Sequence, residues 1–304
     1  MHTILTFIVG ALFFVQGASL CAEEPKVLVM THCFNKPEFI IWQYETFKRF
    51  LKDDYEFVVF NDAKNRQYSE QVQDICHHLQ IRCIKVPQSV HRPPYYLPRD
   101  PSRGGASAEC AETIQYMYDT IATQHPGIAV IIDSDMFLIR EFSFEKLING
   151  FDIGAHPQYR IGKNRGMIVK HFLPNLLIFN MPQLPGKYEL DFNLGEIDGT
   201  MVDTGGCTHY YIQNYPQLKW LETAGTTETL NENNTQLTSE EINQLKACKR
   251  LFALMTKMEF DYEFYVNYTF LHFRAGSNWN MIDPKKMHAK TKLFVDMFEE
   301  LLQN

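Results

Sequence analysis

The sequence predicts an α/β fold with a mostly parallel central sheet flanked by helices. Short apolar segments of strand length alternate with segments of helical periodicity through the first half of the chain. This alternation is typical of strand–helix–strand units, whose strands run parallel and whose helices cover the sheet. In addition, three of these strands end in polar side chains, and ligands of such sheets bind beyond the carboxyl ends of the strands.

The first three strands are predicted over residues 26–30, 55–60 and 81–86. The helix after the first strand has an apolar stripe at helical spacing, formed by Ile40, Tyr44, Phe47 and Leu51. A polar helix follows the second strand and ends near residue 79. Residues 87–105 are rich in Pro, Arg and Tyr, which predicts a long irregular loop.

Ser107 is placed to cap the next helix, which the Pro-Gly pair at 126–127 stops. The fourth strand, residues 128–132, is wholly apolar and runs directly into Asp133, Ser134 and Asp135. Side chains at i and i+2 of an extended segment point to one side, so the two carboxylates can converge on one cation. A solvated loop triplet is the alternative, but apolar residues on both sides of the triplet favour a metal site.

The second half of the chain predicts further strands over 151–155 and 175–180 and a polar insertion over 222–234. Thr238 and Glu241 form a capping box, from which we expect one helix through residue 255. The amphipathic segment 284–302 predicts a terminal helix. No internal repeat or linker is evident, so residues 23–304 are interpreted as a single domain.

Residues 1–22 contain no Lys, Arg, Asp or Glu and are apolar from 4 to 15. They predict a signal peptide cleaved after Ala22, or an uncleaved signal anchor; the missing flanking charges leave both open. Either places the protein in the secretory pathway, secreted or otherwise extracytoplasmic. The six cysteines after residue 22 permit disulfides in such a compartment, and Cys76 with Cys83 is the best local pair.

The net charge of −7 gives no electrostatic reason to expect nucleic acid as a partner. Membrane association is expected only if the N-terminal segment is an uncleaved anchor.

The strand ends carry a resemblance to a known family. Residues 27–35, 61–62, 131–137 and 270–279 together resemble the nucleotide-sugar-dependent glycosyltransferases of the GT-A type, which have an Asp-x-Asp motif. The resemblance implies a hexosyltransferase-like enzyme, a nucleotide-sugar donor and a hydroxyl acceptor on a glycan, protein or lipid. It also implies a divalent cation, Mn²⁺ or Mg²⁺, with Asp133, Asp135 and His272 as ligands.

By the same resemblance, a set of residues at the strand ends and in the following loops would line the donor pocket. These are Thr31, His32, Phe34, Asn35, Asn61, Asp62, Arg103 and Ser134, with Arg274 as a further candidate. Asp203, which precedes a Gly-Gly turn, is the chosen catalytic base for an inverting reaction, with Asp198 as the alternative. Asn180, Asn278 and Trp279 are candidates for the sugar or acceptor subsite.

Two other functions remain open. A non-catalytic nucleotide- or carbohydrate-binding protein could have the same fold, although two converging carboxylates are of little use to a metal-free binder. A phosphatase with an Asp nucleophile is less favoured, because Phe137 stands where such enzymes have Thr and the motif follows about a hundred residues of α/β pattern.

Overall fold

The structure is a computed structural model, and it describes residues 26–91, 106–231, 236–257, 262–274 and 284–303. The strands of its main sheet are β1 (Val27–Cys33), β2 (Tyr55–Asn61), β3 (Arg82–Lys85), β4 (Ile128–Ile132), β6 (Ile153–Ile161), β7 (Ile168–Asn180) and β10 (Trp220–Glu222). The helices are α1 (Pro37–Phe50), α2 (Arg66–His78), α3 (Ala106–Thr120), α4 (Phe144–Ile148), α5 (Thr208–Asn214), α6 (Ser239–Ala247), α7 (Lys249–Lys257) and α8 (Pro284–Gln303).

The main sheet has seven strands in the order β10-β6-β7-β4-β1-β2-β3. Six strands run in one direction, and only β7 is antiparallel to its neighbours β4 and β6. Val27 and Val29 of β1 face the layer of α1 and α2, whereas Leu28 and Met30 face α3. Because helices cover both faces, β4 and the first four residues of β1 are apolar throughout rather than alternating. The predicted class, a mostly parallel sheet flanked by helices, is confirmed.

A second, antiparallel sheet stands beside the carboxyl end of β4. It contains β5 (Met136–Leu138), β11 (Gly225–Thr226), β12 (Glu263–Tyr265) and β13 (Phe270–His272), in the order β11-β12-β13-β5. The apolar faces of α6, α7 and α8 pack on this sheet around Phe137, Phe264 and Leu271. A two-stranded ribbon, β8 (Gly195–Ile197) with β9 (Thr200–Val202), lies outside both sheets.

Several element boundaries differ from the sequence prediction. Ser107 lies inside α3, which begins at Ala106, so it does not cap that helix. The predicted strands at 151–155 and 175–180 belong to the longer β6 and β7, which pair as one hairpin. The capping box of Thr238 and Glu241 is confirmed, but the helix after it is interrupted at Cys248 and continues as α7.

Cys76 and Cys83 are both free, and each perturbs the pKa of the other, so the predicted pair is adjacent without being bridged. Residues 1–22, Arg103, Asn278 and Trp279 fall outside the described residues, and the predictions that concern them stay predictions. None of the helices in the described part of the chain combines the length and apolar character needed to span a bilayer.

Candidate functional site

Three candidate ligands meet where the two sheets join. Asp133 and Asp135 occupy the turn between β4 and β5, and β13 pairs with β5 so that His272 lies opposite Met136. The His272 Nε2 atom is 3.2 Å from Asp135 Oδ1 and 3.9 Å from Asp133 Oδ2. One ligand atom from each residue lies within 4.8 Å of the others. Two carboxylates and one imidazole are a donor set suited to Mn²⁺ and acceptable to Mg²⁺.

The turn that carries the two carboxylates is fixed by the fully buried side chain of Gln43 from α1. Its Nε2 donates to the carbonyls of Asp133 (2.8 Å) and Met136 (3.0 Å). Two backbone bonds complete the turn: the Asp133 amide donates to Asn175 (2.9 Å), and the Phe273 amide donates to Asp135 (2.8 Å). The backbone of the site is therefore held from three different elements.

The two carboxylates and the imidazole of the site shift one another's pKa values. Burial and the neighbouring Asp135 carboxylate raise the pKa of Asp133 to about 6. Burial lowers the pKa of His272, but the Asp135 carboxylate and its hydrogen bond more than offset this, so the pKa rises to about 10. Without a cation, the single positive charge of the imidazolium offsets part of the negative charge of the two carboxylates. A divalent cation would take over this role and displace the proton from Nε2.

A second layer of polar groups surrounds His272, and three of its members, Glu263, Tyr265 and Asn175, were not predicted from the sequence. Glu263 Oε2 lies 3.2 Å from His272 Nδ1, and the Tyr265 hydroxyl donates to the same carboxylate at 3.1 Å. The Asn175 amide nitrogen lies 3.4 Å from His272 Nδ1 and donates to the Tyr265 hydroxyl at 3.3 Å. The Arg274 guanidinium is 3.6 Å from Glu263, which places this predicted residue at the edge of the cluster.

The end of β1 forms the wall next to this centre. Thr31 is buried, and its hydroxyl has no hydrogen-bond partner among the described residues. His32 Nε2 is 3.8 Å from the Cys110 thiol of α3. Phe34 and Asn35 follow on the loop to α1 and are partly buried. Ser134, between the two carboxylates, is buried.

Cys110 shows how closely the predicted acidic residues converge. Burial raises the pKa of its thiol, and four carboxylates raise it further, those of Asp133, Asp62, Asp203 and Asp135. The thiol therefore stays protonated. Cys110 was missed because a single cysteine on a helix carries no sequence signal for a site.

Asn61 and Asp62 are engaged with protein groups at the end of β2. Asn61 donates to the Ser69 carbonyl at 2.8 Å and accepts from the Ala63 amide at 3.2 Å. The Asp62 carboxylate contacts His91 Nε2 at 2.6 Å and accepts from the Thr113 hydroxyl at 3.0 Å. These bonds hold α3 and the His91 segment against the strand end. Contact of either side chain with a nucleotide stays a prediction.

The two candidate bases have different surroundings. The side chain of Asp198 is 1% exposed and accepts from the backbone amide and Nε of Arg165, closing the β6–β7 hairpin against the β8–β9 turn. Asp203 is exposed, and within the described part of the chain its Oδ1 accepts one local bond, from the Thr204 amide. The negative charge of Asp203 raises the pKa of the Cys110 thiol, and it partly offsets the lowering of the pKa of the buried His171. Asp203 is thus the one of the pair whose second carboxylate oxygen has no hydrogen-bond partner among the described residues.

The Gly-Gly turn after Asp203 is required by space. Gly205 has a φ of +82°, and a Cβ there would lie 2.1 Å from the Phe172 carbonyl oxygen. A Cβ on Gly206 would lie 2.2 Å from a Val202 methyl group. The turn therefore packs directly on β7, and this contact fixes the position of the preceding residue Asp203.

Asn180 does not belong to this site. It pairs with Ile128 at the start of β4, whereas Asp133 follows the end of that strand. Its amide donates to the Phe151 carbonyl at 3.3 Å. The prediction that Asn180 lines a sugar subsite was wrong because its strand, β7, runs antiparallel to β4 and ends at the opposite edge of the sheet.

No protein-family model matches the chain, and no curated protein matches it either. Among solved structures, the mannosyltransferase Ktr4p from S. cerevisiae is similar with a TM-score of 0.40 and 10% identity, over 52% of this chain and 57% of that one. The mannosyltransferase PcManGT from Pyrobaculum calidifontis, in complex with GDP-Man and Mn²⁺, has a TM-score of 0.38 and 13% identity, over 65% and 54%. Core-mannan synthase A from Aspergillus fumigatus, in its Mn/GDP form, has a TM-score of 0.35 and 11% identity, over 54% and 62%. The chain therefore spans little more than half the length of each.

Proposed function

We propose that the protein is a metal-dependent glycosyltransferase of the GT-A type, which moves a sugar from a nucleoside diphosphate to a hydroxyl acceptor. The observation that carries the proposal is the convergence of Asp133, Asp135 and His272, with their ligand atoms within 4.8 Å of one another at the carboxyl end of β4. Ligands of parallel sheets bind at that edge.

The residues of the site have separate tasks in this reaction. Asp133, Asp135 and His272 would hold Mn²⁺ or Mg²⁺. Bound there, the cation supplies Lewis-acid stabilisation of the charge that develops on the leaving diphosphate. The Thr31 hydroxyl is fully buried and lacks a partner among the described residues, and its contact with the donor stays a prediction.

For an inverting reaction, Asp203 would accept the proton of the acceptor hydroxyl. Its exposed carboxylate, which among the described residues accepts one hydrogen bond, from the Thr204 amide, is accessible to an acceptor from solvent. A general base of this kind contributes about 10²- to 10⁴-fold to a rate. A retaining reaction would leave Asp203 without this task, so the stereochemistry of the product decides its role.

The experiment is a panel of UDP-, GDP-, ADP- and dTDP-linked sugars, tested for Mn²⁺-dependent binding and slow hydrolysis by the wild type and by Asp135→Ala. We expect one nucleotide series to bind with Mn²⁺, to be hydrolysed, and to lose both properties in the variant. Binding that is independent of Mn²⁺ and of Asp135 would favour a non-catalytic binding protein. Absence of binding by every nucleotide, with and without metal, would remove the proposal.

A further inference from the structure

Glu263 is the carboxylate closest to the outer nitrogen of the candidate metal ligand His272. The two residues are direct cross-strand partners in the β12–β13 pair, and Glu263 Oε2 is 3.2 Å from His272 Nδ1. The opposite ring nitrogen, Nε2, faces Asp133 and Asp135. The imidazole therefore lies between one outer carboxylate and two inner ones.

The chemistry of imidazole gives this arrangement a consequence. A neutral histidine can bind a cation through Nε2 only when its proton is on Nδ1. An ionised carboxylate accepts hydrogen bonds and donates none, so Glu263 favours the form with the proton on Nδ1. Outer carboxylates of this kind orient histidine ligands and raise their basicity.

Glu263 is itself held in place. The Tyr265 hydroxyl donates to Oε2 at 3.1 Å, and the Arg274 Nε lies 3.6 Å from Oε1. Its side chain is 22% exposed, so water competes only partly for these bonds. The hairpin pairing and these two contacts make the carboxylate a fixed element rather than a mobile surface group.

We propose that Glu263 is a positioning residue for the metal centre: it holds His272 as the Nδ1-protonated tautomer, with Nε2 directed at the cation shared with Asp133 and Asp135. This inference rests on the proposed function, because it presumes that the cluster binds a divalent cation. Glu263 touches neither the cation nor the reacting atoms, and it acts through His272.

The test compares wild type, Glu263→Ala, Glu263→Gln and Asp135→Ala, with Glu56→Ala as the matched control. Glu56 is also a partly exposed glutamate in an ion pair, with Arg82 at 3.4 Å, but it lies near the amino end of β2, away from the cluster. Mn²⁺ binding is measured by electron paramagnetic resonance of the free ion. The tautomer of His272 is read from its ring ¹⁵N shifts in the Mg²⁺-bound protein.

We expect Glu263→Ala to weaken Mn²⁺ binding about 10- to 100-fold, the range found for outer carboxylates of metal sites. Glu263→Gln should fall between it and the wild type, because the amide oxygen can still accept from Nδ1 without the negative charge. Glu56→Ala should bind Mn²⁺ as the wild type does. The ¹⁵N spectrum of the wild type should show the proton on Nδ1.

Two outcomes overturn the inference, and they are distinguishable. If the wild type binds Mn²⁺, Asp135→Ala does not, and Glu263→Ala binds with wild-type affinity, Glu263 has no positioning role while the proposed function stands. If the wild type binds neither Mn²⁺ nor Mg²⁺, the metal centre itself is refuted, and the inference fails with it.

Discussion

Replacing Gln43 with leucine should weaken the candidate metal site, although Gln43 is not itself a candidate ligand. Gln43 is fully buried in α1, and its Nε2 donates to the carbonyls of Asp133 and Met136 at 2.8 and 3.0 Å. Leucine keeps most of the volume but removes both bonds. The Asp133 carbonyl retains its bond from the Met136 amide at 3.1 Å, and the substitution removes Gln43 Oε1, a buried atom with no hydrogen-bond partner in the described part of the chain. Both effects offset part of the loss. Since a buried carbonyl without a donor costs about 1–3 kcal/mol and part of this is offset, we expect the free energy of unfolding to fall by roughly 1–2 kcal/mol.

The loosened turn should also lower the affinity for Mn²⁺ by about tenfold or more, because outer groups that orient ligands have effects of this size. The assays are urea unfolding and Mn²⁺ titration of the folded protein. Thr46→Val is the control on the same helix: Thr46 is equally buried, but its hydroxyl donates only to the Gln43 carbonyl within the helix. If Gln43→Leu matches Thr46→Val in both assays, the two hydrogen bonds of Gln43 do not hold the turn.

Three further predictions follow from the same geometry. Because the folded pKa of His272, about 10, lies above the unfolded value of 6.5, its contribution to metal-free stability is complete below pH 6.5 and is lost as the pH rises towards 10. His272→Ala should remove this loss in denaturation curves between pH 6 and 10, and an unchanged pH dependence would contradict the ion cluster. For an inverting enzyme, Asp203→Ala should lower the rate of sugar transfer about 10²- to 10⁴-fold and leave the Tm unchanged. Asp198→Ala should lower the Tm, because it removes the carboxylate that closes the β6–β7 hairpin. The reverse pattern would exchange the roles of the two residues. Gly205→Ala should lower the free energy of unfolding in urea by at least about 1–2 kcal/mol, because alanine is strained in the left-handed backbone conformation of this residue. If the variant were as stable as the wild type, the turn would not be fixed by its packing on β7.

The local part of the site could be predicted because local geometry determines it. Asp133 and Asp135 are two residues apart at the end of an apolar strand, and their spacing alone brings them to one side. The ends of β1 and β2 lie beside them because parallel strands share an edge, as Cys33 pairing with Asn61 illustrates. His272 was found only through family resemblance, since 137 residues of chain separate it from Asp135 and no spacing rule connects them.

The remaining residues of the site depend on tertiary contacts that carry no sequence signature. Gln43 reaches the turn across 90 positions of the chain, and Cys110 lies beside His32 across 78. The contact of Glu263 with His272 depends on the pairing of β12 with β13, which the sequence does not indicate. Asn180 shows the opposite failure: its amide made it a candidate for the sugar or acceptor subsite, but the direction of β7 in the sheet could not be read from the sequence.

The most direct test is anomalous diffraction from crystals grown with Mn²⁺ and a nucleoside diphosphate. We expect one manganese peak in contact with Asp133 or Asp135 and with His272 Nε2, and diphosphate oxygens bound to the same ion. A manganese ion elsewhere, or a nucleotide bound away from the carboxyl end of β4, would contradict the account.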